Sequence, residues 1–458
     1  MFEHMTEEEA RQHILKEVGE YCRQFHNTGK PFRKGDRIPY ASRVYDEKEM
    51  TNLVDSALEF WLTSGRYTKE FERKFGEKLG VRYVSTVNSG SSANLLAFNA
   101  LTSPLLGERR IRRGDEVITV AAGFPTTVTP MIQYGAVPVF VDVTMETANI
   151  DVTKLDDALS SRTKAVMLAH TLGNPFDLST VKAFCDRHGL WLVEDNCDSL
   201  GSRYTLDGET RMTGTFGDIG TSSFYPPHHL TMGEGGAVYT NNPLLHKIIR
   251  SMRDWGRDCV CVSGQDNLCG HRFDGQYGTL PKGYDHKYVY SHFGWNLKAT
   301  DLQAAIGCAQ IDKLDGFTEK RRHNYAFLRQ QLIDRGAEEM LLLPEAAANS
   351  EPSWFGFLMT LKKSGIREQT VRAVESAGVQ TRMLFSGNLI RHPCFDEMRA
   401  AYEAGDAENA GFRVSGTLDN TDRIMRDAFW VGVYPGMTDE KLACMAEIIT
   451  EAAAGALH

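Results

Sequence analysis

The chain has 458 residues, 42% of them hydrophobic and 24% charged, which is close to the globular average and excludes a disordered, collagen-like or coiled-coil chain. Fifty-one Lys and Arg stand against 60 Asp and Glu, and a net charge of -9 carries no basic excess for a nucleic-acid backbone. The length predicts two or three domains.

The opening MFEHMTEEEARQHILKEV has acidic residues and helical spacing where a signal peptide would have a basic end and an apolar run. No run of apolar residues is long enough to span a bilayer. Nine cysteines are an odd number, in a chain too long to need disulfide staples. A reducing cytoplasm is the expected compartment. In chain order, residues 1 to about 35 read as a helix followed by the polar stretch NTGKPFRKGDRIP, an N-terminal arm. Helical patterning covers 49–80. From about 84 to 240, short apolar runs such as EVITV, PVFVDV, AVMLAH and WLVED alternate with helical segments, the pattern of crossover units and a mainly parallel sheet. Residues 257–292 are rich in Gly, Asp, Cys and Tyr without periodicity and read as a long loop. A helical run over 298–336, strand-like WFGFLMTL, helical REQTVRAVESAG and a closing helix from 438 follow. The expected fold is therefore α/β, with a large domain over 36–310 and a smaller α+β domain over 311–458.

Three stretches carry chemistry. Asn88-Ser89-Gly90-Ser91-Ser92, between a strand and a helix, would offer backbone N–H groups and a helix dipole to an anion such as a phosphate, or simply form a serine N-cap. It is not a nucleotide triphosphatase loop. WLVEDNCD ends an apolar strand on Glu194 and Asp195, where a carboxylate is costly unless paired. It could face a cofactor's pyridinium nitrogen or cap a turn. Ser222-Ser223-Phe224-Tyr225-Pro226-Pro227-His228-His229 and the Gly-rich turn after it combine hydroxyls, an aromatic and two histidines, either of which could move a proton.

In order along the chain, SGRYTKEFERKFGEKLGVRYVSTVNSGSSANLLA, GDEVITVAAGFPTTVTPMIQYGAVPVFVDV, VEDNCDSLGS, SFYPPHHLTMGEGG and FGWNLKATDLQAAIGCAQI resemble the DegT/DnrJ/EryC1/StrS sugar aminotransferases of the fold-type I pyridoxal phosphate superfamily, from about Ile38 to about 450. The resemblance implies that Gly90 and Ser91 hold the cofactor phosphate with Ser223 beside them. It also implies that Phe124 stacks on the pyridine ring and that Asp195 faces the ring nitrogen. Asn296 is implied to reach the phosphate of a neighbouring subunit, in a homodimer.

One position departs from the family. Where its aminotransferases carry a lysine that forms an internal Schiff base, this chain has His228, which cannot form that imine. The change resembles the 3-dehydrases of 3,6-dideoxysugar synthesis. It implies pyridoxamine 5'-phosphate as cofactor, a nucleotide-linked 4-keto-6-deoxyhexose (CDP in the commoner case) as substrate, and expulsion of the C3 hydroxyl with His228 moving the proton. Asp198 and Tyr225 are implied to border the substrate in supporting roles, and His229 is the alternative base. Competing readings are a dehydratase regenerated by glutamate, an ordinary aminotransferase, and a non-catalytic binding module.

Cys259-Val260-Cys261, with Cys269 after seven intervening residues, puts three thiols in an irregular loop, and Cys197 lies beside Asp195 in sequence. Four thiolates would suit a [2Fe-2S] cluster or zinc. The resemblance to 3-dehydrases that work with an NADH-dependent flavin or iron–sulfur reductase implies the cluster and that partner. Cys22, Cys185, Cys308, Cys394 and Cys444 are expected to be buried thiols.

Overall fold

A computed structural model describes residues 2–26, 31–261 and 264–457. Residues 27–30 of the expected arm, and Val262 and Ser263 of the cysteine loop, lie outside the described residues. The strands of the first half are β1 (Tyr83–Val87), β2 (Glu116–Val120), β3 (Val137–Val141), β4 (Thr163–Ala169), β5 (Trp191–Asp195), the hairpin β6 (Arg203–Leu206) and β7 (Glu209–Met212), β8 (Ile219–Ser223) and β9 (Gly236–Thr240). Among the described residues the main sheet runs β1-β9-β8-β5-β4-β2-β3 and ends on the short strand Arg413–Val414. Every pairing from β8 to Arg413–Val414 is parallel, and β9 alone runs against its two neighbours.

Strands β2, β5, β8 and β9 are buried at every residue. A strand covered on both faces needs no alternation, which is why EVITV and WLVED read as unbroken apolar runs. One face packs against Phe98, Leu96 and Met131 from helices Gly90–Ala100 and Pro125–Tyr134. The opposite face packs against Phe176, Val181 and Phe184. Helix Arg66–Leu79 contributes a separate aromatic nucleus: Phe71 and Phe75 stack at 5.5 Å and meet Phe224 edge-on at 5.3 and 5.5 Å. This nucleus sets the height of the chain where β8 passes into the His228 turn.

The expected helix over 49–80 is two helices, Glu47–Glu59 and Arg66–Leu79, and the run over 298–336 is also two, Asp301–Ile311 and Leu314–Ile333. Ser222 and Ser223 close strand β8, and the chain leaves the sheet just before Phe224. The C-terminal part forms an antiparallel sheet in the order Leu341–Leu342, Gly356–Leu361, Ala428–Gly432, Thr381–Arg382, packed on the closing helix Asp439–Gly455. It is not sealed off from the first half, because Arg413–Val414 joins β3 and Ser350–Glu351 joins β6. No described helix is long and apolar enough to cross a membrane. Of the five cysteines expected to be buried, four are, but Cys394 is exposed, lying in a short turn at Pro393–Phe395 rather than inside an element.

Because Phe75 is fully buried among Phe71, Phe224 and Tyr239, Phe75→Ala is expected to lower unfolding free energy by about 3–5 kcal/mol. Denaturant titration followed by fluorescence checks this; a loss under about 1 kcal/mol would contradict a close-packed nucleus.

Candidate active site

The carboxyl ends of β1, β4, β5 and β8 open on one cavity of about 420 Å³. This is the edge at which parallel sheets bind ligands. Ser89 caps helix Gly90–Ala100 by accepting the N–H of Ser92 at 3.1 Å, and Ser89, Gly90 and Ser91 at this helix start line the cavity. Ser91 donates to Thr126 at 3.2 Å, and Ser223 ends β8 against Gly90. A Cβ at Gly90 would collide with the Ser223 side chain and crowd Cys197 Sγ. Backbone, hydroxyls and helix dipole thus gather at one side of the cavity, and only glycine keeps that corner open.

Strand alternation sends the two acidic residues of β5 to opposite faces. Asp195 enters the cavity, where Oδ2 accepts from Asn94 Nδ2 and Thr127 Oγ1, both at 2.7 Å, and Oδ1 accepts from the Cys197 N–H at 3.2 Å. Thr221 in turn donates to Asn94 Oδ1 at 2.7 Å. Glu194 points away from the cavity and accepts the N–H groups of Gly214, Phe216 and Gly217 at 2.6–2.7 Å, with His170 at 3.0 Å. Phe124 stands half exposed at the cavity wall, edge-on to Phe385 at 6.2 Å.

His228 lies across the cavity in the turn after β8. Its ring stacks on Phe355 at 5.2 Å and meets Tyr225 edge-on at 6.5 Å. Nδ1 comes within 3.5 Å of Asp198 Oδ1, yet neither this nitrogen nor Asp198 Oδ2 has a hydrogen-bond partner among the described residues. Burial, helped by the nearby Arg321 cation, pushes the imidazole down to about 4. Burial, helped by the Asp195 charge, pushes the Asp198 carboxyl up to about 8. Near pH 7 both groups are neutral, the imidazole able to take a proton and the carboxyl able to give one.

His229 faces away, with Nε2 on the Ser353 carbonyl at 2.6 Å, so it does not share the cavity with His228. Asn296 is also outside it, its Oδ1 accepting from Lys298 at 2.6 Å. The four cysteines expected to act together are divided. Cys197 is in the cavity floor, where burial drives its thiol well above the ordinary value. Cys259, Cys261 and Cys269 share a separate small hollow with Arg272 and His286. Each of those three sulfurs accepts a backbone N–H at 3.4 Å, from Cys261, Leu268 and His271 respectively. Among the described residues no three His, Cys, Asp or Glu side chains are arranged to hold a metal ion.

Several cavity residues escape sequence reasoning. Asn94 had a signal, since it lies one turn after Gly90 on the same helix face. Tyr40, Phe355, Arg382 and Trp430 had none, because they arrive from segments hundreds of residues apart.

Residues 44–450 match the model of the DegT/DnrJ/EryC1/StrS aminotransferase family, and the chain belongs to that family. It is 52% identical over 441 residues to lipopolysaccharide biosynthesis protein RfbH of Salmonella typhimurium, covering 96% of this chain and 97% of that one. It is 47% identical over 446 residues to dTDP-4-dehydro-2,6-dideoxy-D-glucose 3-dehydratase of Saccharopolyspora spinosa, covering 97% and 92%. The solved structure of E. coli GDP-4-keto-6-deoxy-D-mannose-3-dehydratase with bound hydrated PLP superposes with a TM-score of 0.76 at 27% identity, over 90% of this chain and all of that one.

Gly90→Ala is expected to weaken binding of pyridoxamine 5'-phosphate at least about tenfold, roughly 1.4 kcal/mol, with the far-UV circular dichroism spectrum unchanged. Equilibrium dialysis measures it, and wild-type affinity would remove Gly90 from the phosphate cradle.

Proposed function

We propose that this chain is a pyridoxamine 5'-phosphate-dependent 3-dehydratase acting on a nucleotide-linked 4-keto-6-deoxyhexose, with CDP as the expected nucleotide. The observation that carries the reading is the cavity's inventory: a phosphate cradle at Gly90 and a clamped carboxylate at Asp195 share it with His228, and no lysine lines it among the described residues. An internal imine to the protein is therefore not available, whereas the amine form of the cofactor needs none.

The residues present fit that cofactor. Gly90, Ser91 and Ser223 would hold its phosphate, Asp195 its ring nitrogen, and Phe124 its ring face. When bound, it supplies an amine for the C4 ketone and a ring that takes up electron density. His228, unprotonated near neutrality, accepts the proton from the carbon bearing the amine and returns it to the departing C3 hydroxyl. Asp198, protonated in the same range, donates a hydrogen bond beside it, and Tyr225 borders the sugar. Arg382, whose guanidinium lies 4.0 Å over the Tyr40 ring at the cavity wall, suits the substrate's diphosphate. The fully exposed Phe293 and half-exposed Trp255 near Asn296 are consistent with a homodimer.

A finer reading adds an electron supply. Cys259, Cys261, Cys269 and Cys197 would hold a [2Fe-2S] cluster, and an NADH-dependent flavin or iron–sulfur reductase would feed it, so that removal of the hydroxyl ends in a 3-deoxy sugar. The three N–H···S bonds in the loop support it, since they are the contacts thiolate ligands take. Cys197 lines the main cavity while the other three line a separate hollow, so the cluster would have to draw the loop and the cavity floor together.

Anaerobic incubation with pyridoxamine phosphate and CDP-4-keto-6-deoxyglucose, with and without reductase plus NADH, is expected to give a sugar that has lost the C3 hydroxyl. His228→Asn should cut the rate about 10²- to 10⁴-fold. No water loss from the sugar under any condition sinks the proposal. Zinc without iron sinks the finer reading alone, and turnover sustained by glutamate without reductase replaces it.

The pH profile follows from the two neutral groups. Activity rises through about pH 4 as His228 loses its proton and falls above about pH 8 as Asp198 ionises, each limb about tenfold per pH unit. Asp198→Asn should abolish the alkaline limb while leaving the acidic one. An alkaline limb that persists in this variant assigns it to another group.

A further inference from the structure

Arg321, on helix Leu314–Ile333, is among the largest fully buried side chains, at 1% exposure. A buried cation is ordinarily paired with a carboxylate, because taking it out of water costs several kcal/mol. This one is not. Nη1 donates to the carbonyl oxygens of Trp354 at 3.1 Å and Phe355 at 3.5 Å, and Nη2 to those of Pro227 at 3.4 Å and His228 at 3.3 Å. Nε has no partner among the described residues. The four acceptors belong to two segments, the turn that bears His228 and the stretch that bears Phe355, whose ring stacks on His228. A planar fork with donors on two nitrogens can span both at once, which an ammonium cannot.

We propose that Arg321 is a positioning residue for His228. Its guanidinium ties the turn carrying the imidazole to the segment carrying the imidazole's stacking partner. The four hydrogen bonds hold the ring in place beside Asp198, 3.5 Å from Nδ1, and Tyr225.

The inference rests on His228 being the proton-transferring group, and the test separates the two. Arg321→Gln keeps N–H donors without charge; Arg321→Lys keeps charge without the fork. kcat and KM of the holoenzyme are measured for both variants, together with the far-UV circular dichroism spectrum. In Arg321→Lys kcat is expected to fall about 10²-fold with KM little changed, as a misplaced base requires. Arg321→Gln, too short to span both segments, should lose at least as much. Wild-type kcat in folded Arg321→Lys, or a loss carried by KM alone, overturns the proposal. If the Gln variant does not fold, the Lys variant decides. Full activity of His228→Asn would instead bring down the assignment of the base.

Discussion

The site is organised by the burial of acidic residues at the end of β5. A buried carboxyl costs several kcal/mol unless its lone pairs are met, and the strand places two such groups in succession on opposite faces. Asp195 is met by Asn94, Thr127 and the Cys197 N–H, Glu194 by three backbone N–H groups and His170. To satisfy these partners, helices Gly90–Ala100 and Pro125–Tyr134, the 214–217 turn and strand β8 must all come to one edge of the sheet. The open corner at Gly90 and the clamped Asp195 carboxylate are therefore two outcomes of a single requirement.

On the other side of the cavity the same dry surroundings act through charge. Asp198 and His228, within 3.5 Å of each other, are driven to neutrality from opposite directions, and Arg321 remains charged behind them. Two neutral groups with unused hydrogen-bonding atoms beside a fixed cation make a place where a proton can be held or passed at little cost. A lysine at His228 would bring a second cation into this space and would fill it with a longer chain, so the histidine and its neighbours belong together electrostatically.

The cysteine loop shows how local satisfaction competes with assembly. Its three sulfurs are each met by an N–H from two to seven residues away, and Cys269 is drawn below its ordinary value by His286 and the His271 N–H. Cys197 is driven the other way by burial beside Asp195. Thiols that share one line of sequence reasoning therefore live in two different electrostatic settings.

Much of the fold was legible because parallel strands covered on both faces have to be written as continuous apolar runs, and helices between them as periodic ones. The order of the motifs around Gly90, Asp195 and His228 was legible for the same reason, since each follows a strand and each loop opens on the same edge. Short signals were less secure: the breaks in the two long helical runs, the strand at Ser222–Ser223 and the exposure of Cys394 depend on packing between segments and leave little local trace. By itself the sequence determined the class of fold, the family and the substitution of histidine for the imine-forming lysine, all of which are properties of residue type and order. Only the tertiary structure decided which of two adjacent histidines enters the cavity, that Asn94 and Thr127 meet Asp195 and Phe355 stacks on His228, and that Cys197 lines the cavity while the other three thiols share a separate hollow. Those outcomes are set by distances between segments far apart along the chain, and by the low dielectric that the assembled interior alone provides.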